Sequence, residues 1–173
     1  MRGKRNLASM GFIPLLLLGT ACSKSGGGSH TAVDPNAPII TNLRASFGGG
    51  CILPGNVHGT IETIAFDYAD ADGNLRGGTL ESTVTAAVGG PVILRGAIPS
   101  PGIGISGTTS GTITVTACLF FGSNSSVSER VKVTDASGKT SNELSIVVAR
   151  PGGAPLLPRD ADIPPRKTLE FGQ

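Results

Sequence analysis

The sequence predicts an all-β fold, a sandwich of about seven antiparallel strands between residues 37 and 150. Apolar residues recur at every second position in several short stretches of that range, which is the periodicity of half-buried strands. Turns rich in glycine, asparagine and aspartate separate the stretches. No part of the range has a helical periodicity of useful length. Short strands joined in this way are typical of two sheets packed face to face.

The predicted strands share this alternation or consist of a short apolar run. They cover, in chain order, residues 43–47, 64–68, 80–86, 92–94, 112–119, 127–133 and 144–148. The fifth stretch has the clearest pattern, because Ile113 and Val115 point one way while the threonines between them point the other. A polar turn at 135–139 joins the last two stretches.

Residues 1–21 have the layout of a secretory signal peptide, with basic residues first, then an apolar run, then small residues directly before Cys22. The segment resembles a bacterial lipoprotein signal. In that family, the motif Leu18-Gly19-Thr20-Ala21-Cys22 implies cleavage before Cys22 and attachment of lipid to its sulfur. The alternative is an ordinary signal peptide. A membrane-spanning anchor is disfavoured, because the apolar run is shorter than the roughly 20 residues that a spanning helix needs.

Residues 22–36 are predicted to be a tether rich in glycine and serine between the lipid and the folded domain. By resemblance to the sorting pattern of Gram-negative lipoproteins, Ser23 after the cysteine implies the outer membrane. Two or three acyl chains hold a protein on a bilayer, whereas one chain gives only marginal binding. We therefore expect a cell-envelope protein that is bound to the membrane through Cys22.

The charge of the mature chain disfavours nucleic acid as a partner. The full sequence has 14 Lys plus Arg and 12 Asp plus Glu. Removal of residues 1–21 takes away three basic residues, so 11 positive charges (14 minus 3) face 12 negative ones. Nucleic-acid binding needs a dense positive surface, and a net charge of minus one does not indicate such a surface.

With Cys22 assigned to lipid, Cys51 and Cys118 remain as a pair and are expected to form a disulfide in the exported protein. They are 67 positions apart (118 minus 51). Closing a loop of that size stabilises the fold by about 4 kcal/mol on the entropic model. Because Cys118 shares the face of the threonines, the bridge is predicted to lie outside the sandwich core. We expect it to fix the flexible segment 48–51 to a strand edge.

Two segments carry a resemblance to bacterial immunoglobulin-like and PKD-like surface modules. They are residues 66–75, which contain Asp70-Ala71-Asp72-Gly73-Asn74, and residues 131–144, which contain Thr134-Asp135-Ala136-Ser137-Gly138. The resemblance implies an immunoglobulin-like sandwich over 37–150. It also implies an extracellular spacer, adhesin or carbohydrate-proximal module without catalytic residues. The chain departs from the antibody pattern because it has no Trp to pack on the disulfide.

No motif indicates an enzyme or a cofactor. Residues 102–107 satisfy G-x-G-x-x-G, but the β-branched stretch that follows is a strand pattern, so no helix N-terminus is expected for a pyrophosphate. No nucleophile elbow or zinc-protease motif is present. Neither His30 nor His58 lies at a zinc-ligand spacing from a cysteine.

Metal binding stays open only as a weak calcium site that uses Asp67, Asp70, Asp72 or Asp135. Placing Gly73 at the sixth position of an EF-hand loop puts Tyr68 and Thr79 where carboxylates are required, so an EF-hand is disfavoured. The alternative interpretation is a plain turn between strands, stabilised by Asx side chains.

Residues 151–173 are predicted to be a disordered tail, because they contain five prolines and balanced charges. For the whole chain we expect a lipid-anchored, non-catalytic envelope protein whose domain meets a protein partner. The alternative is a periplasmic ligand-binding lipoprotein for a sugar or calcium. The loops at 69–74 and 97–110 should distinguish the two, because a binding module needs convergent polar groups.

Overall fold

The computed structural model describes residues 34–152 and 164–169, and these form a sandwich of two antiparallel sheets. The predicted signal segment and most of the predicted tether therefore lie outside the described residues. Within the two described ranges, no helix is long and apolar enough to cross a membrane.

The described residues contain nine strands. They are β1 (Ile39–Leu53), β2 (Val57–Ala69), β3 (Thr79–Thr85), β4 (Val92–Ala97), β5 (Ile103–Ile105), β6 (Ser110–Phe120), β7 (Ser126–Thr134), β8 (Leu144–Ala149) and β9 (Arg166–Leu169). The predicted sandwich is confirmed, and all seven predicted stretches correspond to strands. The expected number of strands was too low, because β5 and β9 were not predicted.

The strand order is that of an immunoglobulin-like sandwich. One sheet has the order β1-β2-β6-β5, and the other has the order β4-β3-β7-β8. Read across the first sheet, β1, β2, β6 and β5 correspond to strands A, B, E and D of that fold. In the second sheet, β3, β7 and β8 correspond to strands C, F and G, and β4 is added beside β3. Strand β9 extends the first sheet.

Strands β5 and β9 lie end to end along one edge of β6. Strand β5 pairs with residues 113–115 of β6, and β9 pairs with residues 117–120. The other edge of β6 pairs with β2 throughout. The edge of β6 that would otherwise be open is therefore covered by two short strands that are distant in sequence.

The core lies between the sheets and follows the alternation of the strands. In β2, Ile64 and Phe66 are fully buried, and Ile113 of β6 packs beside them. Leu80 and Val133 face them from the second sheet. A smaller cluster around Leu119, Val84 and Val127 fills the other end of the sandwich. Burial of these side chains is the main stabilising contribution to the fold.

The prediction that residues 151–173 are disordered was wrong for Arg166–Leu169, which form β9. Prolines disfavour central strands, but Pro164 and Pro165 come just before the strand, where the loss of an amide proton is tolerated. Space is left for them by Gly89, where an added Cβ would lie 2.5 Å from Cβ of Pro164. The remaining tail residues, 153–163 and 170–173, lie outside the described part of the chain.

Candidate functional site

Three of the four predicted calcium candidates come together at one end of the sandwich. Asp70 and Asp72 lie in the connection between β2 and β3, and Asp135 lies in the turn between β7 and β8. One carboxylate oxygen from each falls within 4.8 Å of the others. Asp70 and Asp135 are buried, whereas Asp72 is exposed. We call this group the aspartate cluster.

Local hydrogen bonds explain why these turns place the carboxylates inward. Oδ2 of Asp70 accepts a hydrogen bond from the Leu75 amide at 2.8 Å. Oδ1 of Asp135 accepts from the amides of Ser137 and Lys139, each at 2.8 Å, and from the Ser137 hydroxyl. Gly73 has a φ of 67°, a left-handed conformation that glycine adopts without strain. The Asx-rich turn expected at residues 70–74 is therefore present, and the polar turn at 135–139 is stabilised in a similar way.

In each of the two buried aspartates, the second carboxylate oxygen has no hydrogen-bond donor among the described residues. Oδ1 of Asp70 and Oδ2 of Asp135 are buried and accept no hydrogen bond from any residue that the structure describes. Oδ1 of Asn74, in the same turn as Asp70, is also buried without a hydrogen-bond partner. The backbone of Asn74 lies against the other turn, because its carbonyl accepts from the Ala136 amide. Buried oxygens without partners are rare in folded proteins, since each costs about 1 to 3 kcal/mol.

The electrostatics of the aspartate cluster are dominated by like charges. Burial raises the pKa of Asp70, and the neighbouring carboxylates of Asp72 and Asp135 raise it further. Burial also acts to raise the pKa of Asp135, but the hydrogen bonds from Lys139 and Ser137 outweigh it, so the pKa of Asp135 is lowered. Nζ of Lys139 lies 4.0 Å from Oδ2 of Asp72. Among the described residues, no Lys or Arg nitrogen lies within 4.0 Å of a carboxylate oxygen of Asp70 or Asp135.

The fourth candidate, Asp67, lies apart from the aspartate cluster, on the outer face of β2. Its carboxylate accepts hydrogen bonds from Asn42 at 2.9 Å and Thr112 at 3.0 Å. Arg44 also lies 3.4 Å away. The hydrogen bonds from Asn42 and Thr112 lower the pKa of Asp67 despite opposing desolvation. Both of its carboxylate oxygens therefore already accept hydrogen bonds from residues of β1 and β6, and Asp67 does not belong to the aspartate cluster.

The predicted disulfide between Cys51 and Cys118 is present, with an S–S distance of 1.98 Å and a Cα–Cα distance of 5.9 Å. It joins β1 to β6 across the intervening strand β2. The bridge belongs to a small cluster with Leu53 and Phe120, separate from the core between the sheets. Its predicted place outside the core is therefore confirmed. The expectation that it fixes a loop was wrong, because residues 48–51 continue β1 past an irregularity in register.

A buried ionic group was not predicted and lies inside the sandwich. Nζ of Lys167 in β9 lies 2.8 Å from Oε2 of Glu62 in β2 and also contacts Oε1 of Glu129 in β7. Ser82 of β3 donates a hydrogen bond to the same Glu129 oxygen. The side chains of the two glutamates and the lysine have no exposed surface. The group links both sheets, and we call it the core triad of Glu62, Glu129 and Lys167.

The alternation of residues in the sequence indicates that two members of the core triad, both glutamates, point inward. Glu62 follows the inward alternation of Ile64 and Phe66, and Glu129 lies between the inward residues Val127 and Val131. Charged residues at inward positions require partners. Burial raises the pKa of Glu62 to about 7, and the nearby Lys167 opposes this while Glu129 adds to it. The partner was missed because Lys167 lies in a segment that was predicted to be disordered.

A cleft beside Gly59 is too small for an organic ligand. It is lined by His58, Thr60, Phe121 and Arg150, among others, and its volume of about 10 Å³ is room for about one water molecule. A sugar-sized ligand needs a pocket of roughly 300 Å³ or more. Arg150 lies over the Phe121 ring, 5.7 Å from the ring centroid.

Comparison with protein-family models finds no match, and comparison with curated proteins finds none either. Among solved structures, the chain is similar to a protein described as Northeast Structural Genomics Consortium target SoR45. The two chains are 13% identical with a TM-score of 0.39, and the match covers 70% of this chain and 93% of that chain. A likeness at this level says nothing about function.

Proposed function

We propose that the protein is a lipid-anchored, non-catalytic component of a bacterial cell envelope whose immunoglobulin-like domain has a structural or interaction role. The observation that carries this proposal is the placement of Cys22, directly after a signal-type segment and 17 positions (39 minus 22) before the first strand begins at Ile39. A tether rich in glycine and serine between the two lets a folded domain stand away from a membrane.

The disulfide supports a location outside the cytoplasm. Bridges of this kind persist in oxidising compartments and are rare where thiols are kept reduced. The bridge therefore agrees with export, which the signal segment also predicts.

The domain itself favours a structural or interaction role over ligand capture. The cleft beside Gly59 does not have the volume for a sugar. The outer face of the second sheet carries a network in which Glu81 pairs with Arg95 at 2.7 Å and with Lys132 at 2.9 Å. Exposed charge networks of this kind keep a sheet soluble and suit polar contact with another protein.

Metabolic labelling with an alkyne fatty acid tests the anchor. The wild-type protein should incorporate the label and partition into detergent, and Cys22→Ser should lose both properties. Ser25→Ala, a matched change in the tether, should retain both. An unlabelled wild-type protein whose mature chain begins with an unmodified residue would overturn the proposal.

Membrane fractionation tests the location. Wild-type protein should separate with the outer membrane, and Ser23→Asp should move it toward the inner membrane while leaving the label in place. If the two proteins fractionate together, the outer-membrane assignment is wrong even when the lipid is present.

A further inference from the structure

We propose that Asp70, Asp72, Asp135 and Asn74 form a calcium site at the end of the sandwich where the β2–β3 and β7–β8 connections meet. This inference is independent of the lipid anchor. It rests on the geometry of the aspartate cluster and, separately, on buried oxygens that accept no hydrogen bond from residues 34–152 or 164–169.

The size of the cluster fits a calcium ion. Calcium binds oxygen ligands at about 2.3 to 2.6 Å, so two ligands on opposite sides of one ion are up to about 5 Å apart. One carboxylate oxygen from each of the three aspartates lies within 4.8 Å of the other two. Magnesium requires shorter bonds, about 2.1 Å, and near-ideal octahedral geometry. Three carboxylates contributed by two separate connections suit calcium better.

The uncommitted oxygens give the second, independent argument. Asp70 and Asp135 are 1% and 4% exposed, yet each leaves one oxygen without a hydrogen bond from the described part of the chain. In both side chains the other oxygen is bound by backbone amides, which fixes the carboxylate in place. A carboxylate held through one oxygen with the other left free is oriented to bind a further group. Oδ1 of Asn74 would add a neutral ligand, and water would complete the shell.

The negative charge of the aspartate cluster also favours the binding of a cation. Three carboxylates meet there, and the nearest lysine described, Lys139, lies at the limit of ion-pair distance from Asp72 and shares its charge with Asp34. Buried carboxylates of like charge repel each other strongly when nothing neutralises them. A divalent ion would offset that repulsion without requiring either aspartate to bind a proton.

Terbium luminescence provides a direct probe, because Tb³⁺ occupies calcium sites and emits when a nearby tyrosine transfers energy to it. The chain has one tyrosine and no tryptophan. That tyrosine, Tyr68, lies two positions before Asp70, and the charge of Asp70 contributes to its raised pKa. Adding Tb³⁺ to the full mature protein should produce sensitised emission, and excess CaCl₂ should abolish it while equal MgCl₂ should not. Tyr68→Phe should lose the emission.

Thermal unfolding gives the second readout. An affinity of about 0.1 to 1 mM, typical of extracellular calcium modules, predicts a rise in Tm of about 5 to 10 °C in 10 mM CaCl₂ relative to EDTA. Asp135→Asn and Asp72→Asn should abolish the rise. Asp72 is exposed, so Asp72→Asn tests the site even if substitution of a buried aspartate impairs folding.

Asp67→Asn is the matched control, since it removes a carboxylate from the same segment but outside the cluster. Its calcium-dependent rise in Tm should equal that of the wild type. The proposal is overturned if the wild type shows no calcium-specific emission or Tm shift, or if Asp72→Asn responds as the wild type does.

Discussion

Nζ of Lys167 lies 2.8 Å from Oε2 of Glu62, and neither side chain is exposed to solvent. Lys167 enters the core from β9, on the side of β6 away from β2. A buried ammonium is tolerated only beside opposite charge, and here a single lysine serves two carboxylates. The last strand of the domain thus supplies the cation that two inward-facing glutamates require.

Replacing Lys167 should destabilise the fold strongly. Lys167→Met leaves Glu62 and Glu129 buried without a cation, and breaking a buried ion pair in this way costs about 3 to 5 kcal/mol. Lys132→Met is the control, because Lys132 pairs with Glu81 on the exposed face and should cost at most about 1 kcal/mol. Chemical denaturation of both variants measures the difference. Equal losses in the two variants would mean that the core triad has no special role.

Glu62 should make stability depend on pH. Its pKa is about 7 in the folded protein, against an ordinary value of 4.5. Between these values the folded state binds more protons than the unfolded state, so the free energy of unfolding falls as the pH rises from about 4.5 to about 7 and then levels off. The difference in pKa corresponds to about 3 kcal/mol.

Glu62→Gln should remove this contribution, because a glutamine does not titrate. The difference in unfolding free energy between the variant and the wild type should then change by a few kcal/mol across that window, in favour of the variant at higher pH. Glu81→Gln is the control, since hydrogen bonds from Lys132 and Arg95 lower the pKa of Glu81 and its effect lies below the window. A constant difference between Glu62→Gln and the wild type would contradict the assignment.

Gly59 should be required for the disulfide. The bridge crosses β2 at this residue, and an added Cβ would lie 2.9 Å from Sγ of Cys118 and 2.9 Å from the carbonyl oxygen of Leu119. Gly59→Ala should therefore lower the Tm and slow formation of the bond, measured by alkylation of free thiols during refolding. Gly49→Ala is the control, because an added Cβ there meets nothing within 4 Å. If the two variants have similar Tm values and form the disulfide at similar rates, then β2 accommodates the added methyl group at Gly59 without strain.

Truncation after Arg150 should lower the Tm, because it removes β9 and the lysine of the core triad. The fall in Tm should be larger than that caused by Lys167→Met, because truncation removes the pairing of β9 with β6 as well as the lysine. Thermal unfolding of the truncated and full mature chains measures it. An unchanged Tm would mean that β9 contributes nothing to the stability of the domain.

Alternation in the sequence was enough to predict the seven longer strands and the place of the disulfide outside the core. Strand β5 was missed because three residues between glycines and prolines carry no measurable periodicity. The position of Asp67 depended on pairing between β1, β2 and β6, which local sequence does not reveal. Lys167 was missed because residues 151–173 were predicted to be a disordered tail. Its partners lie in β2 and β7, and only the assembled sandwich brings them together.

The end-to-end placement of β5 and β9 has a consequence for folding during synthesis. Until Arg166–Leu169 have been made and have paired, residues 117–120 of β6 offer unpaired amides and carbonyls at that edge, and the two core glutamates have no lysine between them. A delay at this stage would favour pairing of the open edge with another copy of the chain.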